Sequence, residues 1–174
     1  MNRFRIISLA VLAVTFVALP TSFAEDVDTT KATPPSVAEA RVRARLLHEM
    51  VHGALQVMHR DFFDEEESHA IPSRSLEDVF VELQRGHRVS VRWISVNTNA
   101  MNVDNEPQSL FEKAAAKQLA QGKPEHDAVD QGRYQYAGAI RLSSRCLKCH
   151  VPNRTSTDSR TAGLIISMPV AEEK

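Results

Sequence analysis

Apolar and polar positions alternate along this chain in three distinct rhythms, and each predicts a different element. From Ser36 to about Glu66 the rhythm is helical. Leu46, Leu47, Met50, Val51, Ala54, Val57, Met58 and Phe62 recur at spacings of one, three and four. At about 100° per residue they cover an arc of roughly 160°. Ser36 is the expected N-cap, and Glu39 three residues later completes a capping box. His48, His52 and His59 fall within about 40° of one another at the edge of that arc. A second, shorter helix is expected from Ser75 to about Gln84, with Leu76, Val79, Phe80 and Leu83 on its apolar face. A short extended piece at Ile71-Pro72 precedes it, and Gly86 is the expected stop.

The rhythm then changes to period two. Val89, Val91 and Trp93 alternate with Arg88, Ser90 and Arg92, the pattern of a half-buried strand running to Val96. Asn97 to Asn105 holds four asparagines and one aspartate in nine residues and reads as an ordered loop. A calcium loop would need more acidic residues at other spacings. Pro107 to Ala120 returns to helical spacing, with Gly122 beyond its end. Glu125 to Asp130 and Arg133 to Leu142 read as a hairpin around Gln131-Gly132, with Tyr134, Tyr136, Ile140 and Leu142 on one face. Leu164, Ile166 and Met168 alternate in a final strand from Gly163 to Val170. Helix, helix, strand, helix, hairpin, turn and strand together predict an α+β fold with an antiparallel sheet.

The third rhythm is uninterrupted. Ile6 to Leu19 is apolar, follows Arg3 and Arg5, and leads to Ser22-Phe23-Ala24, the outline of an export signal cleaved after Ala24. The run is short for a membrane span, so an uncleaved anchor is the alternative. Glu25 to Pro35 is polar and threonine-rich and reads as a tether. Residues 36–174 then form one domain with a sizeable core, at the periplasmic address the signal implies. The formal charge of the whole chain is −1. With no basic patch interleaved with aromatics, nucleic acid is not an expected partner.

The chemistry concentrates at Cys146-Leu147-Lys148-Cys149-His150, a C-x-x-C-H run that uses both cysteines of the chain. Two thiols one helical turn apart can add to the two vinyl groups of one haem, and the adjacent imidazole can bind its iron. One covalently attached haem c is therefore expected, held by Cys146, Cys149 and His150. Export supports this reading, because the attachment takes place outside the bacterial cytoplasm. A redox dithiol, a local disulfide or half a zinc site are the alternatives; zinc would lack a second cysteine pair. Arg141, Arg145, Arg154 and Arg160 flank the motif and could pair with the propionates. Glu65-Glu66-Glu67 reads as a solvated helix end.

With these features the chain resembles the periplasmic haem c-binding domains of PAS-like fold, over about residues 40 to 172. The likeness rests on the long first helix, the Val89-Ser90-Val91-Arg92-Trp93 strand and the Asn-rich loop before Pro107 and Phe111-Glu112. It continues through Tyr134-x-Tyr136 running into the haem motif, and Gly163-Leu164-Ile165-Ile166-Ser167-Met168-Pro169 at the end. The resemblance implies a PAS-like antiparallel sheet with flanking helices and a redox or small-ligand sensing role. It also implies a distal iron ligand from the first helix, a cysteine in some members. No cysteine remains here for that task, so a histidine of the strip is the substitute: His52 first, His59 second, then His48, with Met58 and Met101 behind them and an open, five-coordinate iron as the remaining alternative.

These features predict a monohaem c-type cytochrome acting in electron transfer or redox sensing, with a redox or signalling protein as partner. A gas or small-ligand sensor with a displaceable distal ligand is the alternative. No catalytic constellation marks an enzyme.

Overall fold

The computed structural model describes residues 33–62, 71–151 and 153–172. The expected export signal, most of the expected tether, the expected end of the first helix and the Glu65-Glu66-Glu67 run lie outside the described residues. The elements occur in the expected order. Helix α1 spans Val37–Asp61, α2 Pro72–His87, β1 Ser90–Ser95, α3 Leu110–Ala120, β2 Glu125–Asp130, β3 Arg133–Leu142, α4 Ser144–His150 and β4 Arg160–Pro169, with a single turn of 3-10 helix at Val103–Asn105. The fold is α+β, with a PAS-like antiparallel sheet and flanking helices.

The strand order is β1-β4-β3-β2, so the last strand in sequence lies in the interior of the sheet. Strands β3 and β4 pair along their whole length, from Arg133 opposite Pro169 to Leu142 opposite Arg160. The β2–β3 hairpin closes at Gln131 and Gly132, whose φ values of 48° and 70° give the double positive-φ turn that suits the strand twist. On one face, α1 and α2 cover a core built on Phe80, Val91, Trp93, Tyr134, Tyr136 and Ile166. On the other, α3 covers Ile94, Ala137 and Ile165 with Ala115, Ala116 and Leu119. Gly163 is needed in that second layer, because a Cβ there would lie 2.9 Å from Cγ1 of Ile94.

Helix α1 begins as the sequence predicts. The Ser36 side chain accepts from the Glu39 amide, and the Glu39 carboxylate accepts from the Ser36 amide at 2.8 Å. Its buried face differs from the expected one. Leu46, Met50, Val57 and Phe62 are exposed, Leu46 by 69%. Ala40, Ala44, His48 and Val51 are buried, with Leu47 and Leu55 packed beside them. Small residues at three- and four-residue spacing let the helix backbone lie close on the sheet, and this closeness decides the orientation against the larger side chains. His48 is thereby at the centre of the buried face, not at its edge.

Other boundaries shift for local reasons. Pro72 opens α2 instead of extending a strand, because its missing amide costs nothing at a first helical position. The same helix passes through Gly86 and ends at Arg88, which takes the left-handed conformation with φ 56°. On α2, Phe80 is buried, whereas Val79 is 47% exposed. Strand β1 starts at Ser90 and β4 at Arg160, three residues ahead of Gly163. Helix α3 starts at Leu110, three residues after Pro107, because Ser109 and Glu112 form a second capping box.

Candidate functional site

Helix α4 is the connection between β3 and β4, so the end of the longest ladder in the sheet fixes its position. It is a short helix and leaves Cys149 and His150 exposed, while Leu147 is buried beneath it as the anchor. Cys146 is half-buried, and the Ser143 hydroxyl lies 3.3 Å from its sulfur. Both thiols are free. Cys146, Cys149 and His150 thus lie on one short helix, the two cysteines about a turn apart and the histidine directly after.

A cleft of about 110 Å³, open to solvent on one side, begins at this helix. Cys146 and His150 form one wall. Leu55, Trp93, Ile94, Ile140, Leu142 and Ala162 give it an apolar floor, and Thr98 to Met101 of the asparagine-rich loop close the far side. Trp93 is held in place by α2, through its indole N–H donating to the Ser73 carbonyl at 3.2 Å. The loop is held from the opposite face of the sheet. Arg92 donates to the Glu112 carboxylate on α3 and to the carbonyls of Asp104 and Glu106.

Three histidines of α1 were candidates for the second axial position, and the fold separates them. His59 lines the cleft together with Cys146 and His150. Its Nδ1–H donates to the Leu55 carbonyl at 3.0 Å, so the neutral ring carries its lone pair on Nε2, the form a metal requires. Although much of its surface is open, His150 lines the cleft, and desolvation there first and the nearby His59 second lower its pKa. His52 lies about two turns earlier, does not line the cleft, and has Nε2 3.3 Å from the Gln56 amide nitrogen. His48 is 6% exposed, edge-on to Tyr136 at 5.9 Å between ring centres. Met101 lines the cleft but is 65% exposed, and Met58 does not line it. The order of preference read from helical register, His52 before His59, is the reverse of their order of approach to His150.

Sequence reasoning missed the paired ion ladders that hold α1 against the hairpin. Arg41 donates to Asp127 at 2.9 Å, and the Tyr134 hydroxyl donates to the same carboxylate oxygen at 2.9 Å. One turn on, Arg45 pairs with Glu125. Burial, and then the Asp127 and Glu125 carboxylates, raise the pKa values of Tyr134 and Tyr136. The signal was present as arginines four apart in α1 and acidic residues two apart in β2. It has meaning only once the two elements face each other. These pairs tie α1 to the hairpin in the rotation that its buried alanine face sets, the rotation in which His59 lines the cleft.

A family model described as Tll0287-like matches residues 32–164. Among solved structures, the chain is similar to the crystal structure of the cyanobacterial heme-protein Tll0287, at 14% identity and a TM-score of 0.52. The match covers 79% of this chain and 97% of that one. At this identity the likeness speaks for the fold. No curated protein matches the chain.

Proposed function

The chain belongs to the Tll0287-like family, and from that premise we propose that it is an exported, single-domain monohaem cytochrome. Cys146 and Cys149 would hold the haem as thioethers, His150 would be the proximal ligand and His59 the distal one. One observation carries the reading. An apolar cleft is lined at once by a C-x-x-C-H thiol, its histidine and a second histidine of the right tautomer. The lining fits the group, with soft and imidazole donors at the rim and aliphatic and indole surface behind them. When bound, the haem supplies a one-electron couple.

The chain's own residues then set the terms of that couple. Two imidazoles hold the potential below that of a histidine–methionine pair. Trp93, Ile94 and Ile140 exclude water from one face. The Leu55 carbonyl, accepting from Nδ1 of His59, raises the basicity of the ring and fixes its orientation. With His150 and His59 both holding the iron, the protein would be suited to electron transfer or redox sensing with a partner protein. Catalysis would need an open position and an acid–base pair beside it. A gas sensor with a displaceable His59 is the second reading, supported by the solvent-open side of the cleft.

The visible spectrum of the exported protein tests this, taken oxidised, reduced, and reduced under carbon monoxide. A red colour that survives acid-acetone extraction, with reduced bands unmoved by carbon monoxide, is the expected result. A colourless protein overturns the proposal and leaves a dithiol. Bands that move readily under carbon monoxide favour the sensor.

A further inference from the structure

The cleft has two ends of opposite character. Beyond His150 and the Thr98–Met101 wall, the apolar end gives way to a polar one lined by Asn97, Asn99, Asn153 and Arg160. Both are lined by His150 and by that wall, so the recess that holds Arg160 adjoins the apolar cleft at the histidine.

Arg160, the first residue of β4, is partly buried at this polar end. Its guanidinium is gripped from behind. One terminal nitrogen donates to the Asn97 carbonyl at 3.3 Å, the other to the Ser156 hydroxyl at 3.1 Å. Asn97 is itself fixed, its side-chain amide donating to the Ser159 carbonyl at 3.1 Å and its side-chain oxygen accepting from the Thr161 amide at 2.7 Å. Nε of Arg160 is buried and has no hydrogen-bond partner. Arg41, Arg45, Arg60, Arg85 and Arg92 each pair with a carboxylate; among the described residues Arg160 pairs with none. The guanidinium is partly buried, and Asp158 reaches it only through the Ser156 hydroxyl, so a fork held this firmly beside the cleft is preorganised for a direct anion partner.

We propose that Arg160 is the carboxylate anchor of the haem site, pairing with a propionate and so fixing which edge of the tetrapyrrole faces the polar end. The assignment rests on the haem reading above. It selects one arginine of the four that flank the motif: Arg141 and Arg154 are exposed and line neither end, and the side chain of Arg145 lies outside the described residues.

The test is Arg160→Gln in the full exported protein, with exposed Arg154→Gln as control. The thiols still attach the haem, so the colour survives acid-acetone. The midpoint potential of Arg160→Gln falls by the equivalent of about tenfold in the oxidised-to-reduced ratio, roughly 59 mV for a one-electron couple. The control moves by less than twofold, because an exposed charge is screened. A potential for Arg160→Gln that matches the control overturns the assignment. Should Arg160→Gln fail to accumulate, Arg160→Lys keeps the charge but loses the fork. The propionate bending vibration in its resonance Raman spectrum then shifts, and an unshifted band overturns the assignment. Adding acetate to the wild type distinguishes the source of the carboxylate. No saturable spectral change is expected, and a saturable one assigns Arg160 to a free carboxylate instead of the propionate. A colourless wild type sinks the haem reading itself, and this assignment with it.

Discussion

Gly138 of β3 lies directly against the imidazole of His48: a Cβ at position 138 would stand 2.2 Å from Cδ2 of His48 and 2.4 Å from its Nε2. The strand has no side chain at this point because the helix has placed one there. Gly138→Ala therefore overpacks the contact between α1 and the sheet, and the neighbouring atoms are ring atoms with little room to turn. A loss of about 2 kcal/mol is expected, read as a lower midpoint in urea. An unchanged midpoint would show that α1 can lift from the sheet at little cost.

The same contact has a pH dependence. His48 is buried, and burial, then the neighbouring charge of His52, lowers its pKa below the usual 6.5. The unfolded chain thus binds the proton more readily than the folded one. The contribution of neutral His48 is complete above about pH 6.5 and is lost as pH falls toward the folded value. His48→Gln should flatten the thermal midpoint against pH in that window, whatever it does to the midpoint at pH 8. A slope identical to wild type would assign the proton uptake elsewhere.

The two remaining histidines of α1 give a sharper comparison. His59→Ala is expected to convert a low-spin haem spectrum to high-spin, whereas His52→Ala leaves it low-spin and costs under about 1 kcal/mol of stability at its half-exposed position. High-spin bands in His52→Ala with a low-spin His59→Ala would reverse the assignment.

Arg92 and Glu112 hold the far wall of the cleft. Burial pushes the Glu112 carboxyl up, but Arg92 and the amides of Gln108 and Ser109 more than offset it, so its pKa lies below the usual 4.5. Its contribution is full above about pH 4.5 and is lost as pH falls through the folded value. Glu112→Gln strands a largely buried guanidinium and should cost about 3 kcal/mol. Hydrogen exchange at residues 98–106 should quicken in this variant before the sheet amides do. Uniform quickening across the sheet would mean that the pair supports the whole fold, not the loop.

Much of this was legible in the chain because local chemistry settled it. The Ser36–Glu39 box, the Gln131-Gly132 turn and the alternation of Tyr134, Tyr136 and Ile140 depend on residues a few positions apart, and all recur in the fold. The rotation of α1 was not legible. Counting large apolar residues turned Leu46 and Met50 inward, whereas Ala40 and Ala44 are the ones that let helix meet sheet, and small side chains contribute little to such a count. The second capping box, Ser109 with Glu112, was readable by the same rule that found the first. It was overlooked because Pro107 offered an earlier start. Which histidine reaches the cleft depends on how α1 meets the sheet, and its partners there, such as Asp127 for Arg41 and Glu125 for Arg45, are 86 and 80 residues away, beyond any local pattern.

The interior place of β4 has a consequence in time. In a chain that emerges from its N-terminus, β1, β2 and β3 come first, yet among the described residues β1 has no strand partner until residues 160–169 arrive to bridge it to β3. Cys146 and Cys149 emerge before that bridging strand. The sheet is still in two halves when the thiols first become reachable, and whatever joins a cofactor to them meets a molecule that has yet to close. Completion of the last strand then seals the cleft behind the motif, so the order of residues along the chain also sets the order of assembly.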